Sequence, residues 1–468
     1  MTDPNLHAHD ASFRDPSGYV FVEEGIVKRR ILPIYFPQYK ALKEQRIYDT
    51  LIRKELLIPH QETEVSEAEI LLTPEQIPYI TYPYEWGFEQ YKQAALLTLK
   101  LQKYLLSKGF ILKDASAYNI TFHKGRAVFI DTLSFDFYEE NTPWRAYKQF
   151  ITHFLGPLIL TKYHGPEMLK MMQTHIDGIP VSLIASLLPG KTKLNPTLYT
   201  NIHLLAKMES KHQEDYEAKT SIAKLSKKAQ DNMLKGLFQF IQKLALKKDT
   251  EWGNYYEKTN YDAKAFEAKK KLVQQWVTQL KPDRLIDMGG NDGTFARTVR
   301  AKVAHVMVTD IDTNAVDQNM RQMQKNNETN MLPWVCDVLQ PAPGIGFHNT
   351  ERSSMIARLQ AYQPDVVMAL ALIHHITLSG NVPFEKSAAF FASFSNTLLI
   401  EFPKRTDSWV TSLLVRKREF KGHFDHYNQS QFEAAYERFF ECVEKQPIAG
   451  TERVLYHFKR KDSVKPKA

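Results

Sequence analysis

The sequence predicts an α/β protein in which a separate α+β module precedes a parallel, doubly wound sheet in the C-terminal half. With 468 residues the chain is too long for one hydrophobic core, which favours two or three domains. Strand-like and helical segments alternate from Arg284 onward, a pattern typical of parallel strands joined by crossover helices. The first part instead combines short strand-like runs with long helical periodicity. We therefore expect domains at 1–206 and 251–468, joined by a connector at 207–250.

The composition is that of a globular protein, with 43% hydrophobic and 24% charged residues. No apolar run reaches the roughly 18 residues that a membrane-spanning helix needs. The polar segment Met1–Tyr19 lacks the basic and apolar regions of a secretory signal. Cys336 and Cys442 are too few for a disulfide framework. We therefore expect a cytoplasmic protein without a membrane span.

The net charge of +8 is concentrated in one segment. Eight lysines and a single acidic residue, Asp231, lie between Lys219 and Lys248. Apolar residues recur there at steps of three and four, which predicts an amphipathic helix with its lysines on the solvated side. Two interpretations stay open: a solvated connecting helix, or a surface for nucleic acid or an anionic glycolipid.

Local patterns place the elements of the N-terminal part. Strand-like runs occur at Tyr19–Val22, Ile26–Ile31 and Ile77–Thr81, around a helical segment near Tyr39–Lys54. A long helix follows, and Gly109 ends it as a C-cap glycine would.

A strand, a glycine turn and the start of a helix follow one another between Arg284 and Ala296. Such a turn places backbone N–H groups at the carboxyl edge of the sheet, where doubly wound folds bind ligands. Asp287 ends the strand and is a candidate for binding an ammonium group. Gly289 and Gly293 let the backbone approach a ligand closely.

The next two predicted strands also end in carboxylates. Asp310 closes the strand His305–Asp310 and lies 23 residues after Asp287, about the spacing at which an acidic residue accepts ribose hydroxyls. Asp337 closes the strand Pro333–Asp337 and is placed to bind an adenine amino group. The fourth and fifth strands are predicted at Asp365–Leu370 and Thr397–Phe402.

This half resembles the class I S-adenosylmethionine-dependent methyltransferases, whose first motif is an acidic residue followed by Gly-x-Gly-x-Gly. Here Asn291 replaces the middle glycine, as in some bacterial branches of the class. A dinucleotide-binding dehydrogenase would need Gly-x-Gly-x-x-Gly, a spacing that this turn lacks. The resemblance implies a Rossmann-like fold that binds S-adenosylmethionine. The residues it assigns to the donor are Asp287, Gly289, Gly290, Asn291, Gly293, Asp310 and Asp337.

The chain is also similar to a bacterial family of nodulation-protein-type methyltransferases over about Glu251–Lys461. This similarity rests on Trp252-Gly-Asn-Tyr-Tyr, Tyr261, Phe266-Glu-Ala-Lys269, Ile373-His-His-Ile376 and Glu401-Phe-Pro-Lys404.

Three side chains are candidates for a catalytic base. His374 and His375 follow the fourth strand, on the side that faces the donor methyl in this fold class. A neutral imidazole is suited to deprotonating a hydroxyl, and we favour His375. Glu401, near the end of the fifth strand, is the third candidate. For all three, packing or turn capping is the alternative role.

The N-terminal half carries a second pattern of polar residues. Asp114 and Asn119 are five residues apart, and Asp131 follows twelve residues later. In phosphotransferases one Asp orients the attacking hydroxyl, while an Asn and another Asp hold the Mg²⁺ ions that bridge the phosphates of ATP. The region Gly18 to Ala206 thus resembles the protein-kinase-like and small-molecule-kinase fold. This resemblance implies Asp114 as a catalytic residue, with Asn119 and Asp131 as metal ligands.

The kinase-like pattern is incomplete. The region has no Gly-x-Gly-x-x-Gly loop, and Lys28 is only a weak candidate for the lysine that pairs with the phosphates. Phosphotransfer, with ATP and Mg²⁺, therefore stays open, as does a role in substrate recruitment.

We expect a methyltransferase that acts on a small molecule, a glycan or another biosynthetic intermediate. One alternative is a non-catalytic binding or regulatory protein with kinase-like and methyltransferase-like folds. Another is a nucleic-acid methyltransferase guided by the Lys219–Lys248 helix, whose affinity for nucleic acid would fall steeply with salt.

Overall fold

The computed structural model describes residues 8–214, 224–246, 263–417, 419, 422 and 424–464. The chain forms two compact units. Unit 1 comprises residues 1–247 and 344–352, and unit 2 comprises residues 248–343 and 353–468. Lys219, Lys248, the Trp252-Gly-Asn-Tyr-Tyr motif and Tyr261 lie outside the described residues.

Unit 1 begins with a four-stranded antiparallel sheet in the order β1-β2-β4-β3 and continues with two two-stranded antiparallel sheets, β5-β8 and β6-β7. Its strands are β1 (Gly18–Glu23), β2 (Ile26–Ile31), β3 (His60–Val65), β4 (Ile70–Pro74), β5 (Phe110–Leu112), β6 (Ile120–His123), β7 (Arg126–Phe129) and β8 (Phe135–Phe137). Its helices are α1 (Phe36–Glu44), α2 (Ile47–Arg53), α3 (Phe88–Ser107), α4 (Tyr147–Phe150), α5 (Gly156–His164), α6 (Met171–Thr174), α7 (Val181–Leu187), α8 (Pro196–Leu198), α9 (Leu204–Glu214) and α10 (Lys227–Gln242).

The predicted strands Tyr19–Val22 and Ile26–Ile31 and the long helix ending before Gly109 are confirmed, since they correspond to β1, β2 and α3, which ends at Ser107. The predicted strand Ile77–Thr81 is wrong, because this stretch forms no strand. Pro78 lacks the N–H that a strand ladder requires. Strands β3 and β4, which complete the four-stranded sheet, were not predicted. The charged, polar sequence of β3 carries no apolar signal.

The amphipathic helix in the lysine-rich segment is confirmed as α10. It packs against α3 through Gln230, Leu234, Leu237 and Ile241, while lysines occupy its solvated side. The described part of this segment therefore belongs to unit 1.

The segment 344–352 folds with unit 1, although its sequence neighbours on both sides belong to unit 2. Arg14 donates to both carboxylate oxygens of Glu351, from Nε over 2.7 Å and from Nη2 over 2.9 Å. The guanidinium of Arg352 lies 4.7 Å from the centre of the Tyr118 ring.

Unit 2 contains a seven-stranded sheet in the order β11-β10-β9-β12-β13-β15-β14. Its strands are β9 (Arg284–Met288), β10 (His305–Asp310), β11 (Met331–Val335), β12 (Val366–Ala369), β13 (Thr397–Pro403), β14 (Phe440–Pro447) and β15 (Arg453–Arg460). Its helices are α11 (Ala263–Leu280), α12 (Thr294–Val299), α13 (Thr313–Asn326), α14 (Met355–Tyr362), α15 (Phe384–Ala392), α16 (Ser408–Arg416) and α17 (Gln429–Tyr436).

The predicted Rossmann-like α/β fold is confirmed in this unit. Strands β9 to β13 are parallel, and their order reverses between β9 and β12, which opens a crevice at their carboxyl ends. The antiparallel pair β14-β15 extends the sheet beyond β13 and was not predicted. Among the described helices, none combines the length and the apolar character needed to cross a membrane.

Candidate cofactor-binding site

A cavity of about 260 Å³ opens in unit 2 where the parallel strands end. Apolar side chains form most of its wall, among them Phe266, Phe295, Ile311, Leu339, Leu370 and Leu372. The predicted donor-binding residues that line it are Asp287, Gly289, Gly290, Asn291, Asp310 and Asp337. Gly293 is not part of the lining. The fold therefore brings together residues that were singled out on three separate strands.

The glycine turn after β9 adopts the conformation that its residue types favour. Gly289, Asn291 and Gly293 have φ angles of +72°, +51° and +80°. Asparagine enters this left-handed region more readily than most residues, which explains why Asn291 can stand at the middle glycine of the motif. A Cβ on Gly290 would lie 2.7 Å from Cγ of Asp287, so this position requires glycine.

Asp287 is the penultimate residue of β9, and its side chain is buried at 1% exposure. Both carboxylate oxygens are buried without a hydrogen bond of good geometry, although the backbone N–H of Ala296 acts to lower the pKa. Burial raises the pKa of Asp287 to about 7, against the opposing charge of Lys269. A buried carboxylate in this state is suited to receiving a cationic group from a ligand in the cavity.

Asp310 connects the glycine turn to β10. Its Oδ2 accepts from the backbone N–H of Asn291, and its Oδ1 accepts from that of Asp312, both over 2.8 Å. Burial raises the pKa of Asp310 to about 6. Asp337 lies two residues beyond the observed end of β11 and accepts from the N–H of Leu339 over 2.9 Å.

The two histidines lie after β12, and their rings are 4.2 Å apart. His375 lines the cavity, whereas His374 is buried at 2% exposure and does not. Burial lowers the pKa of His375 to about 4, so its imidazole is neutral at pH 7. Ala371, which precedes them in the lining, has a φ of +54°, a strained conformation for a residue with a Cβ.

Glu401 is fully buried and does not line the cavity. Its Oε2 is 2.5 Å from Nζ of Lys269, and its Oε1 accepts from Nη1 of Arg453 over 2.9 Å. The carboxylate therefore faces two cations, of which Lys269 reaches the cavity wall. Arg453 was missed because β15, which carries it, was not predicted.

The three polar residues predicted in the N-terminal half lie close together in unit 1. Oδ1 of Asp114 accepts from the N–H of Ser116 over 2.9 Å and from Nε2 of Gln149 over 2.7 Å. Burial and the charge of Asp131 raise the pKa of Asp114, while a hydrogen bond from Asn119 opposes the shift.

Asp131, the predicted metal ligand, is engaged by protein groups. Nη1 of Arg29 donates to its Oδ1 over 2.5 Å, and the hydroxyl of Ser134 donates to its Oδ2. Burial acts to raise the pKa of Asp131, but Arg29 and these hydrogen bonds hold it below its usual value. Lys28, the residue weighed as the phosphate-binding lysine, pairs instead with Glu23. Successive residues of a strand point to opposite faces, so β2 directs only Arg29 toward Asp131.

No protein-family model matches the chain. It is 31% identical over 465 residues to the nodulation protein NoeA of Rhizobium meliloti (strain 1021), a match that covers 96% of each chain. The chain belongs to the NoeA family of nodulation proteins. The similarity to a nodulation-protein family is thereby confirmed, and the NoeA match extends it from the C-terminal half to nearly the whole chain.

The NoeA-family chain is also similar, at low identity, to several solved structures. Magnesium protoporphyrin IX methyltransferase from Synechocystis PCC 6803, with bound SAH, is 15% identical and matches 45% of this chain and 93% of its own, at a TM-score of 0.32. The N-methyltransferase NodS from Bradyrhizobium japonicum WM9 is 10% identical; the match covers 43% of this chain and 99% of NodS, at a TM-score of 0.31. WbdD is 13% identical; the match covers 47% of this chain and 46% of WbdD, at a TM-score of 0.31.

Proposed function

We propose that the cavity of unit 2 binds S-adenosylmethionine and that the protein transfers its methyl group to a small-molecule or glycan acceptor. The observation that carries this proposal is the buried carboxylate of Asp287, which has no well-formed hydrogen bond and lies near the end of a strand at the wall of the cavity. The ammonium group of the donor's methionine part would satisfy it.

The other polar groups fit the rest of such a donor. Asp310 would accept the ribose hydroxyls, because two backbone N–H groups already fix its orientation. Asp337 would bind the adenine amino group, and the apolar lining would cover the adenine ring. The backbone at Gly289, Gly290 and Asn291 would lie against the methionine part, and glycine at position 290 leaves the Asp287 carboxylate in place. When bound, the donor supplies an electrophilic methyl group on a sulfonium.

The protein would contribute orientation and, for a hydroxyl acceptor, a base. Of the two histidines, His375 lines the cavity. Its imidazole is neutral at pH 7, as proton abstraction requires. His374 would hold the His375 ring in place. Glu401, enclosed by two cations, would act on the site through Lys269 rather than on the acceptor itself.

Calorimetric titration with S-adenosylmethionine and S-adenosylhomocysteine tests donor binding. We expect binding by the intact chain, and loss of binding in Asp310→Ala. A matched control is Asp283→Asn, which removes an exposed carboxylate just before β9, at the opposite end of the strand. Failure of the intact protein to bind either compound would contradict the proposal and favour a non-catalytic role.

We also propose that unit 1 is a kinase-like module, because one observation favours it: Asp114, Asn119 and Asp131 converge beside two two-stranded sheets, after a small four-stranded antiparallel sheet. Under this proposal residues 1–206 form the module and 207–250 the connector to a methyltransferase domain at 251–468. Titration with Mg-ATP tests whether it binds a nucleotide. If the intact chain binds Mg-ATP and Asp131→Asn does not, the result would support phosphotransfer. If the intact chain does not bind Mg-ATP, the result would favour a role of the module in recruiting substrate.

A further inference from the structure

A row of four charged side chains of alternating sign runs through the interior of unit 2. Nε of Arg453 donates to Oδ2 of Asp407 over 2.7 Å, and its Nη1 donates to Oε1 of Glu401 over 2.9 Å. Oε2 of Glu401 is 2.5 Å from Nζ of Lys269. The side chains of all four are no more than 3% exposed, so water screens these interactions little.

Secondary structure fixes the positions of three residues of this row. Asp407 is the N-cap of α16, where its Oδ1 accepts from the N–H groups of Trp409 and Val410. Glu401 lies on β13 and Arg453 on the neighbouring strand β15. In the register of this pair, Glu401 is directly opposite Leu455, and Arg453 is directly opposite Pro403. Glu401 and Arg453 are therefore diagonal neighbours, within reach of each other's long side chains.

The row ends at the donor cavity. Lys269 belongs to α11 and lines the cavity together with Asp287, and its Nζ lies 4.4 Å from the centre of the Phe295 ring. Asp287 is the next acidic residue beyond Lys269 at the cavity wall. The ammonium group of a donor would meet its carboxylate there.

We propose that Lys269, held in place by Glu401 and Arg453, is a positioning residue that favours the ionised form of the Asp287 carboxylate for the donor's ammonium group. This inference rests on the proposed function of the cavity. The charges that face Asp287 are Lys269 from α11, Asp310 from β10 and Asp292 from the glycine turn. Lys269 is the cation among them, and the two aspartates oppose ionisation of Asp287.

The test is the pH dependence of S-adenosylhomocysteine binding between pH 6 and 8.5, in the wild type and in Lys269→Met. Removing a nearby opposite charge moves a carboxyl titration by about one unit or more. We therefore expect binding to be about fivefold weaker at pH 7 and close to wild type at pH 8.5, where Asp287 is ionised again. Arg453→Met should shift the profile in the same direction by a smaller amount.

Two control variants separate this effect from general damage. Lys271→Met removes an exposed lysine of α11, two residues after Lys269. Arg460→Met removes another arginine of β15, which donates to the backbone oxygen of Ala392. Both should keep the wild-type pH profile. If Arg453→Met does not fold, Arg453→Lys retains one cation beside Glu401 and should stay near the wild-type profile.

A second readout needs no donor: the carboxyl titration of Asp287 by carbon NMR, with the signal assigned from Asp287→Asn. An upward shift of the Asp287 pKa in Lys269→Met supports the role of Lys269, whether or not the wild type binds S-adenosylhomocysteine. Absence of binding by the wild type would contradict only the proposed function. An unchanged titration in Lys269→Met, or a loss of binding equal at every pH, would overturn the inference.

Discussion

The backbone N–H of Asn291 donates to Oδ2 of Asp310 over 2.8 Å, which ties the glycine turn after β9 to the end of β10. One carboxylate thus orders the turn and faces the cavity. Because the donor of this bond is a backbone group, the side chain at position 291 matters mainly for the left-handed conformation of the turn.

Substitutions at Asn291 should therefore follow backbone preference. Asn291→Gly should keep the stability and donor affinity close to wild type, since glycine adopts positive φ without cost. Asn291→Val should lower the free energy of unfolding by about 1–2 kcal/mol, because a β-branched residue is disfavoured in that conformation. Urea unfolding and titration with S-adenosylhomocysteine measure both effects. Equal behaviour of the two variants would show that φ at this position is unimportant.

Gly290→Ala should weaken binding of S-adenosylhomocysteine at least about tenfold, since its Cβ would fall 2.7 Å from Cγ of Asp287 and displace that carboxylate. The control is Gly236→Ala in the exposed middle of α10, where no atom lies within 4 Å of the added carbon. That change should leave binding intact and stabilise the helix by about 0.5–1 kcal/mol. Unchanged binding in Gly290→Ala would show that the position of the Asp287 carboxylate does not matter for binding.

Asp287→Asn should abolish donor binding and yet stabilise the protein at neutral and alkaline pH. The pKa of Asp287 is raised from 3.8 to about 7 in the folded state. Its stabilising contribution is therefore complete below the unfolded pKa and is lost as the pH rises through about 7. The variant should gain on the order of 3 kcal/mol above pH 8 and little near pH 4. Urea unfolding at several pH values checks this, and a gain independent of pH would contradict it.

His375→Gln should lower kcat about 10²–10⁴-fold with a hydroxyl acceptor and leave the affinity for S-adenosylhomocysteine unchanged. Because burial lowers the pKa of His375 to about 4, wild-type activity should not fall from protonation of this residue until the pH approaches 4. His457→Gln, on β15 away from the cavity lining, is the control and should retain activity. A wild-type rate in His375→Gln would exclude the base role.

Arg29→Met should destabilise unit 1 by about 1–3 kcal/mol at pH 7, because it leaves Asp131 without its cation. The lowered pKa of Asp131 contributes stability above the unfolded value, which is lost as the pH falls through the folded pKa. The difference between variant and wild type should therefore shrink in acid. Lys28→Met, the adjacent residue on the opposite face of β2, should cost less than about 0.5 kcal/mol in urea unfolding. Equal effects of the two changes would contradict the assignment.

Local sequence was sufficient for the parts of the fold that depend on short-range pattern. Strands β9 and β10 could be located because buried parallel strands are continuous apolar runs, and α10 because its apolar residues follow the helical period. The cavity-lining positions of Asp287 and Asp310 followed from the same strands, since the ligand crevice of such sheets lies at the carboxyl ends.

Only the tertiary structure decided which charges meet. Glu401 and Arg453 are 52 residues apart, and their contact depends on the antiparallel pairing of β13 with β15. Arg29 and Asp131 are 102 residues apart, and the pleat of β2 selects Arg29 over Lys28. Sequence periodicity reports the environment along one element, whereas ion pairs across elements depend on register and burial, which arise only when the elements pack. The sequence by itself therefore determined the Rossmann-like strands and the edge of the sheet where the cavity lies, and packing decided that Glu401 pairs with Lys269 and Arg29 with Asp131.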